Sequence, residues 1–439
     1  MEIIAIGGYN EFGRNMTEVK VGGESVILDM GIKLDRVLIH EDTDLSAMDT
    51  AELVKRGIFP DDRFVQGDVK AIVISHGHLD HLGAVTKLAD KYNVPIYGTP
   101  YTVELIKSEK RYNRGFKGGE RVHAVHPGEM IEVSKNIKIE LVHVTHSILQ
   151  ASFIVVHTPD GVLIYANDFK FDDNPGLGDV TDYNRLMELG QEGVKCLIIE
   201  STRVMEEERT PSEEIAKKLL DNTISRCDED AGLIVTTFSS HLPRIKSILD
   251  TAQLVGRTPV LLGRSMVKYS GIGEKLGLIK LPKATSVYGS PKAVRGVLKK
   301  IDQEGRENYL IIATGHQGEQ DAILSRISNR DFDYHVRKDD QIAFSANVIP
   351  NPMNVANRYV LETKLRIQGA RMIKGLHVSG HAAREDHRYL LRVLNPENII
   401  PCHGDLLMLS SYTELAESMG YELNKDIFLI RNGQKVEIQ

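Results

Sequence analysis

The chain of 439 residues is 41% hydrophobic and 26% charged, an ordinary balance for a folded protein of two domains or one large elaborated domain. Its net charge of −7 argues against indiscriminate coating of nucleic acid, although a local basic groove or bound cations still make a site positive. Only Cys196, Cys227 and Cys402 are present, the N-terminus opens as a strand, and no apolar run nears ~20 residues; a disulfide framework, a signal peptide and a membrane span are therefore not expected, and a cytoplasmic protein is.

In chain order, residues 2–6, 17–21 and 26–28 read as strands joined by tight turns, ending in Leu28-Asp29-Met30-Gly31. Asp29 reads either as a turn residue or as a carboxylate supporting a ligand histidine. Residues 32–68 are acidic, irregular and long for a loop, as functional lids are. The apolar run Ala71-Ile72-Val73-Ile74 then delivers His76, His78, Asp80 and His81, and an amphipathic stretch follows at 82–92. That order predicts a buried strand, a tight turn and a helix start. Three imidazoles and a carboxylate suit zinc or a similar divalent ion, and the lack of nearby cysteine sets aside a closed thiolate site. His76 and His78 alternate toward one side while Asp80 and His81 reach a neighbouring position. The spacing fits two ions about 3.5–4 Å apart that share a bridging carboxylate.

A strand at 94–97 and a helix at 102–110 come next, then a basic stretch at 110–121 that reads as a solvated loop or a phosphate contact. Strand-like segments at 137–143 and 153–166 end in His146 and in Asn167-Asp168. Each alone is an ordinary polar residue; after the first motif each becomes a candidate ligand, with Asp168 the bridge. The strand at 196–199 ends in Glu200. From about 210 to 345 helices alternate with short apolar runs, beginning with a helix from Pro211, as in a parallel sheet covered on both faces. Its strand ends carry Ser240, Gly263-Arg264-Ser265 and Thr314-Gly315-His316-Gln317-Gly318-Glu319. Hydroxyls, backbone N–H groups and a guanidinium at such ends suit phosphate. A helix at 353–368 leads to His377-Val378-Ser379-Gly380-His381-Ala382, and after a further helix at 384–394 the strand 399–402 ends in His403, a seventh ligand candidate. His40, His123, His126, His143, His157, His335 and His387 read as surface or core.

These residues resemble the metallo-β-lactamase superfamily in its β-CASP nuclease branch. The carrying motifs are His76-x-His78-x-Asp80-His81, His146 and Asp168 with Asp29, then Glu200, His381 and His403. Within the branch, Gly263-Arg264-Ser265-Met266, Thr314-Gly315-x-Gln317-Gly318-Glu319 and His377-x-Ser379-Gly380-His381-Ala382 are similar to the ribonuclease J family. The resemblance implies an αββα sandwich at 1–202 and 351–439 with an α/β β-CASP domain inserted at 203–350. It implies a 5′→3′ exoribonuclease, with some endonuclease activity in certain members, acting on single-stranded RNA that bears a 5′-monophosphate. Two zinc ions per subunit, or Mn2+ or Mg2+, would generate the attacking hydroxide: one ion on His76, His78 and His146, the other on Asp80, His81 and His403, bridged by Asp168. His381 is then the acid or charge stabiliser, Glu200 its orienter, and Ser240, Arg264, Ser265, His377, Ser379 and Gly380 the phosphate grip. A homodimer is expected on the resemblance alone. An endonuclease of the cleavage-and-polyadenylation type and a small-ester metallo-hydrolase are the rival readings. The chain stops soon after the second lactamase-like half, which resembles shorter archaeal forms. His316 stands where bacterial members have serine, and Asn347-Val348-Ile349-Pro350-Asn351-Pro352 departs from the family's Pro-Ile-Pro-Gly-Asn segment.

Overall fold

The computed structural model describes residues 1–39, 47–109, 115–349 and 351–439; His40, Pro350 and residues 110–114 of the basic stretch lie outside the described residues. Two compact units result, one from Met1–Asp173, Asp179–Thr210 and Gly380–Gln439, the other from Asn174–Gly178 and Pro211–Ser379. Among the described residues no helix is long and apolar enough to cross a membrane.

The first unit is a sandwich of two mixed sheets. One runs in the order Lys435–Glu437, Glu2–Gly7, Met16–Val21, Glu24–Leu28, Asp68–Val73, Ile96–Gly98, Val122–Ala124. The other runs Ile399–Cys402, Val194–Glu200, Gly161–Ala166, Ser152–Thr158, Lys138–His143, Met130–Glu132. Side chains alternate across each strand, so one set closes the inner core and the other receives helices. Val19, Leu28 and Val73 meet Leu141, Ile154, Tyr165 and Ile198 between the sheets. On the far side of the second sheet, Val142, Phe153, Ile164 and Leu197 meet Leu186 and Leu189 of the helix Tyr183–Glu192 and Leu390 of Arg384–Leu394. Glu24–Leu28, Asp68–Val73 and Ile96–Gly98 are mutually parallel, as are Gly161–Ala166, Val194–Glu200 and Ile399–Cys402. Parallel neighbours bring their C-terminal ends to a common rim, where ligands bind in open α/β sheets.

The second unit holds a wholly parallel sheet in the order Ser286–Tyr288, Thr258–Leu262, Tyr309–Ala313, Leu233–Thr236, Gln341–Phe344, Arg371–Ile373. Its strands read as continuous apolar runs because helices cover both faces. The unit extends to Ser379 rather than ending at 350. Leu361 and Leu365 of the helix Pro352–Ile367 enter its core, and Arg371–Ile373 pairs with Gln341–Phe344. Residues 203–210 stay with the first unit, where Thr210 donates its backbone N–H to Asp386. The helix expected from Pro211 begins at Glu213, because Ser212 takes the N-cap and accepts from the Glu214 N–H at 3.2 Å. The irregular stretch after Gly31 contains helices Leu34–Ile39 and Thr50–Lys55, the latter capped by Asp49, whose side chain accepts from the Glu52 N–H.

Candidate metal centre

The strand Asp68–Val73 ends just before His76, His78 is the N-cap residue of the short helix Leu79–Leu82, and that helix carries Asp80 and His81. Gly31 lets the chain after Asp29 run against this turn, since a Cβ there would sit 1.6 Å from the Asp80 carbonyl oxygen. His146 follows Lys138–His143, Asp168 follows Gly161–Ala166, Glu200 ends Val194–Glu200, and His403 follows Ile399–Cys402. Asp29, Asp168 and His403 adopt φ of 59°, 48° and 49°, a left-handed conformation uncommon outside glycine. Such strain gathers where the surrounding structure aims a side chain for a purpose.

Two groups of donor atoms converge. His76, His78 and His146 gather with Asp168, and Asp80, His81 and His403 gather with the same Asp168, each group within 4.8 Å. The Asp168 Oδ2 lies 3.5 Å from His76 Nε2, 3.3 Å from His81 Nε2 and 3.5 Å from His146 Nε2, while Oδ1 is 3.5 Å from His403 Nε2. His78 turns its Nδ1 inward, 3.2 Å from both His76 Nε2 and His146 Nε2.

What lies behind the rings decides what they offer. His81 Nδ1 donates to Asp29 Oδ2 at 2.7 Å, His146 Nδ1 to the Gly380 carbonyl at 2.6 Å, and His403 Nδ1 to Asn15 Oδ1 at 2.9 Å. The Ser75 hydroxyl gives its proton to Asp29 at 2.9 Å, so at 3.0 Å it accepts from His76 Nδ1. In the neutral form of each of these rings the proton sits on Nδ1 and the lone pair of Nε2 points inward. Lone pairs crowded at these separations repel unless a cation lies among them. Asp168 Oδ1 is buried and, among the described residues, has no hydrogen-bond partner. The donor set therefore fits divalent cations.

Electrostatics sort the same groups. Burial, helped by neighbouring imidazoles, pushes His76 and His78 well below the usual histidine range, and it pulls His146 to about 4. Burial acts the same way on His81, but the carboxylates of Asp168, Asp80 and Asp29 outweigh it and raise that ring. Burial works to raise the Asp168 carboxyl, yet His403, His81 and His381 hold it well below the carboxylate range. Beside this centre His381 Nδ1 donates to Glu200 Oε2 at 2.8 Å. Against the opposing effect of burial, Glu200 and Asp168 lift His381 to about 9. Glu200 is anchored in turn, its Oε1 accepting from the Phe169 N–H at 2.9 Å.

Residues 9–222 match the metallo-beta-lactamase superfamily, residues 230–362 the ribonuclease J beta-CASP domain, and residues 367–429 the Zn-dependent metallo-hydrolase RNA specificity domain. Ribonuclease J of Methanocaldococcus jannaschii is 54% identical over 99% of this chain and 98% of its own length. The chain belongs to the ribonuclease J family. Ribonuclease J of Pyrococcus abyssi is likewise 54% identical, over 100% of this chain and 97% of its own length. The ribonuclease J fold seen here, a metallo-β-lactamase sandwich with a β-CASP α/β unit, also resembles a solved structure titled as a protein of unknown function from Enterococcus faecalis V583. That likeness has a TM-score of 0.68 at 18% identity over 99% of each chain and is one of fold.

Of the phosphate-site candidates in this ribonuclease J family member, Gly380 and His381 belong to the first unit, and Ser240, Arg264, Ser265, His377 and Ser379 to the second. Arg264 is exposed at the first position of the helix Arg264–Lys275, and the other four of the second unit are half-buried. His316 is buried, its ring edge-on to Phe238 at 4.0 Å and its carbonyl accepting from Arg358 at 2.6 Å. Gln317 ties the divergent 347–349 segment to the same loop through Asn347 O at 2.9 Å and the Ile349 N–H at 3.0 Å. Asn15, Ser75 and the Gly380 carbonyl are the supporting groups that sequence reasoning missed. The sequence around Asn15, Gly13-Arg14-Asn15-Met16 just before a strand, shows a polar residue but names no partner for it.

Proposed function

We propose that this protein is a metal-dependent 5′→3′ exoribonuclease that hydrolyses single-stranded RNA from a 5′-monophosphorylated end, in the cytoplasm, as a homodimer, with two zinc ions per subunit (Mn2+ or Mg2+ as alternatives). The observation that carries the reading is the convergence of inward-facing imidazole lone pairs on a carboxylate with an orphaned oxygen, beside a histidine held charged by Glu200. In this reading His76, His78 and His146 would hold one ion and Asp80, His81 and His403 the other, with Asp168 available to both. Held there, divalent ions would supply acidified water and stabilisation of charge developing on a phosphoryl group.

The chain's own groups do the rest. Glu200 orients His381 and keeps it protonated, so its Nε2 proton is available to the departing 3′-oxygen as the P–O3′ bond breaks. The phosphorus, having taken the water oxygen, stays on the next nucleotide as a new 5′-monophosphate. Each turnover thus regenerates the preferred end, which suits stepwise release of mononucleotides. Ser240, Arg264, Ser265, His377, Ser379 and Gly380 grip phosphate in this scheme.

The test offers the protein RNA labelled at its 5′ end as monophosphate or triphosphate, beside His381→Ala. Labelled mononucleotide from the monophosphate is expected, with the variant slower by about 10²–10⁴-fold and its metal retained. Internal fragments indifferent to the 5′ group would replace this reading with an endonuclease. No RNA cleavage by metal-replete protein would sink both and favour a small-ester hydrolase.

A further inference from the structure

Arg244, near the start of the helix Leu242–Leu254 in the second unit, is fully buried. A buried guanidinium persists only when paired and hydrogen-bonded. Glu213 supplies the charge, meeting Nε with one oxygen and Nη2 with the other, the latter at 2.9 Å. Nη1 reaches Ser345 O at 2.8 Å, the Ser345 hydroxyl at 2.9 Å, Leu376 O at 3.2 Å and the Nδ1 of His377 at 3.3 Å. Ser345 fastens the same segment from its own side, donating its hydroxyl to Leu376 O at 2.8 Å.

A guanidinium has only donors. The His377 nitrogen that faces it is placed to accept, sharing the two Nη1 protons with Ser345 and the Leu376 carbonyl, and that arrangement favours the ring's proton on Nε2. Among the described residues none meets Nε2, and the ring is only half-buried. The groups that act on His377 are Arg244, His241, Glu213 and His316. Burial, then Arg244, then His241 push the ring down, and with Glu213 opposing they hold it at about 2, which favours the neutral ring around neutral pH.

We propose that Arg244 is a positioning residue that fixes His377 as its neutral Nε2–H tautomer, making His377 a one-way hydrogen-bond donor to a phosphate oxygen of RNA. The proposal rests on the reading that this unit grips RNA. An ordinary histidine changes charge between pH 5 and 8 and serves as acid, base or cation. His377 does none of these; it selects an acceptor by direction alone. Grip at this position is accordingly indifferent to pH, and a ligand presenting a donor there is refused because two protons would face each other.

The first readout needs no RNA. In full-length protein with ring-15N histidine, the His377 signals, identified by their loss in His377→Gln, are expected to show a proton on Nε2 and none on Nδ1 at about pH 6. An Nδ1–H or doubly protonated ring overturns the proposal. The second readout uses 5′-monophosphorylated RNA. Glutamine carries its amide N–H near the place of Nε2, asparagine near that of Nδ1. His377→Gln should have a KM lower than His377→Asn by about tenfold, the scale of a hydrogen bond to a charged group. Equal losses in the two variants also overturn it. Arg244→Lys, where it folds, should release the ring to titrate. Where it does not, the wild-type tautomer and the Gln–Asn comparison still decide. Failure of the wild type to cleave RNA would defeat the functional reading while leaving the tautomer measurement intact.

Discussion

The rim of the metal centre and the rim of the inserted sheet use similar side chains, histidines and serines at strand ends, and present opposite polarity. At the metal centre an acceptor stands behind three of the rings: Asp29 behind His81, the Gly380 carbonyl behind His146, Asn15 behind His403. Each takes the outer proton and leaves a lone pair facing in. In the inserted unit a donor, Arg244, stands behind His377, and the inversion leaves a proton facing out. Converging lone pairs collect cations; outward N–H and O–H groups collect anions. The group behind an imidazole, more than the imidazole, decides the charge of its ligand.

That contrast breaks most completely if Asp168 is dispensable. Asp168→Asn keeps the volume and removes the charge that two ion positions would share. Cleavage is expected at background level, and bound zinc by elemental analysis should fall from about two per chain to one or none. Full zinc occupancy in the variant would mean that imidazole lone pairs suffice and the bridge is superfluous. A smaller effect tests the groups behind the rings. Asn15→Ala frees the His403 Nδ1, which Asn15 now holds at 2.9 Å, and leaves every proposed ligand in place. Zinc affinity against a competing chelator, or activity at limiting zinc, should drop about 10–100-fold. An unchanged affinity would mean that the ring keeps its tautomer without help.

The two rims also differed in how far sequence exposed them. His76 to His81 is one local run, and a strand ending in a turn must project its side chains together, so its chemistry was legible without any fold. Asp168, Glu200 and His403 were legible because parallel strands share a rim, and His146 because it too closes a strand-like run, although its strand is antiparallel to its neighbours. Asn15 and the Gly380 carbonyl were not, since they act across 388 and 234 residues of chain and one is a backbone atom that no residue type advertises. The break at residue 350 misplaced the end of the inserted unit for a related reason. The helix Pro352–Ile367 carries exposed Val355, Tyr359 and Ile367 as well as buried Leu361 and Leu365, so its pattern does not say which core it serves. The entry of Leu361 and Leu365 into the second core, with the pairing of Arg371–Ile373 against Gln341–Phe344, assigns it.

The mildest test concerns the one full charge among the second-unit residues proposed to grip phosphate. Arg264 is exposed, and among the described residues its guanidinium has no ion pair or hydrogen bond. An exposed charge acts through screened solvent, so its loss should matter less than that of a buried bridge or ring support. Arg264→Ala is expected to raise KM for RNA a few-fold at low salt and leave kcat near its starting value. If the side chain neutralises one phosphate, the slope of log affinity against log salt should become shallower by about 0.7, the single-strand value for one contact. The slope separates contact from mere proximity, because a nearby charge that releases no counterion changes affinity without changing the slope. An unaltered slope would put Arg264 outside the RNA path and leave the anion-facing rim to neutral donors alone, His377 first among them.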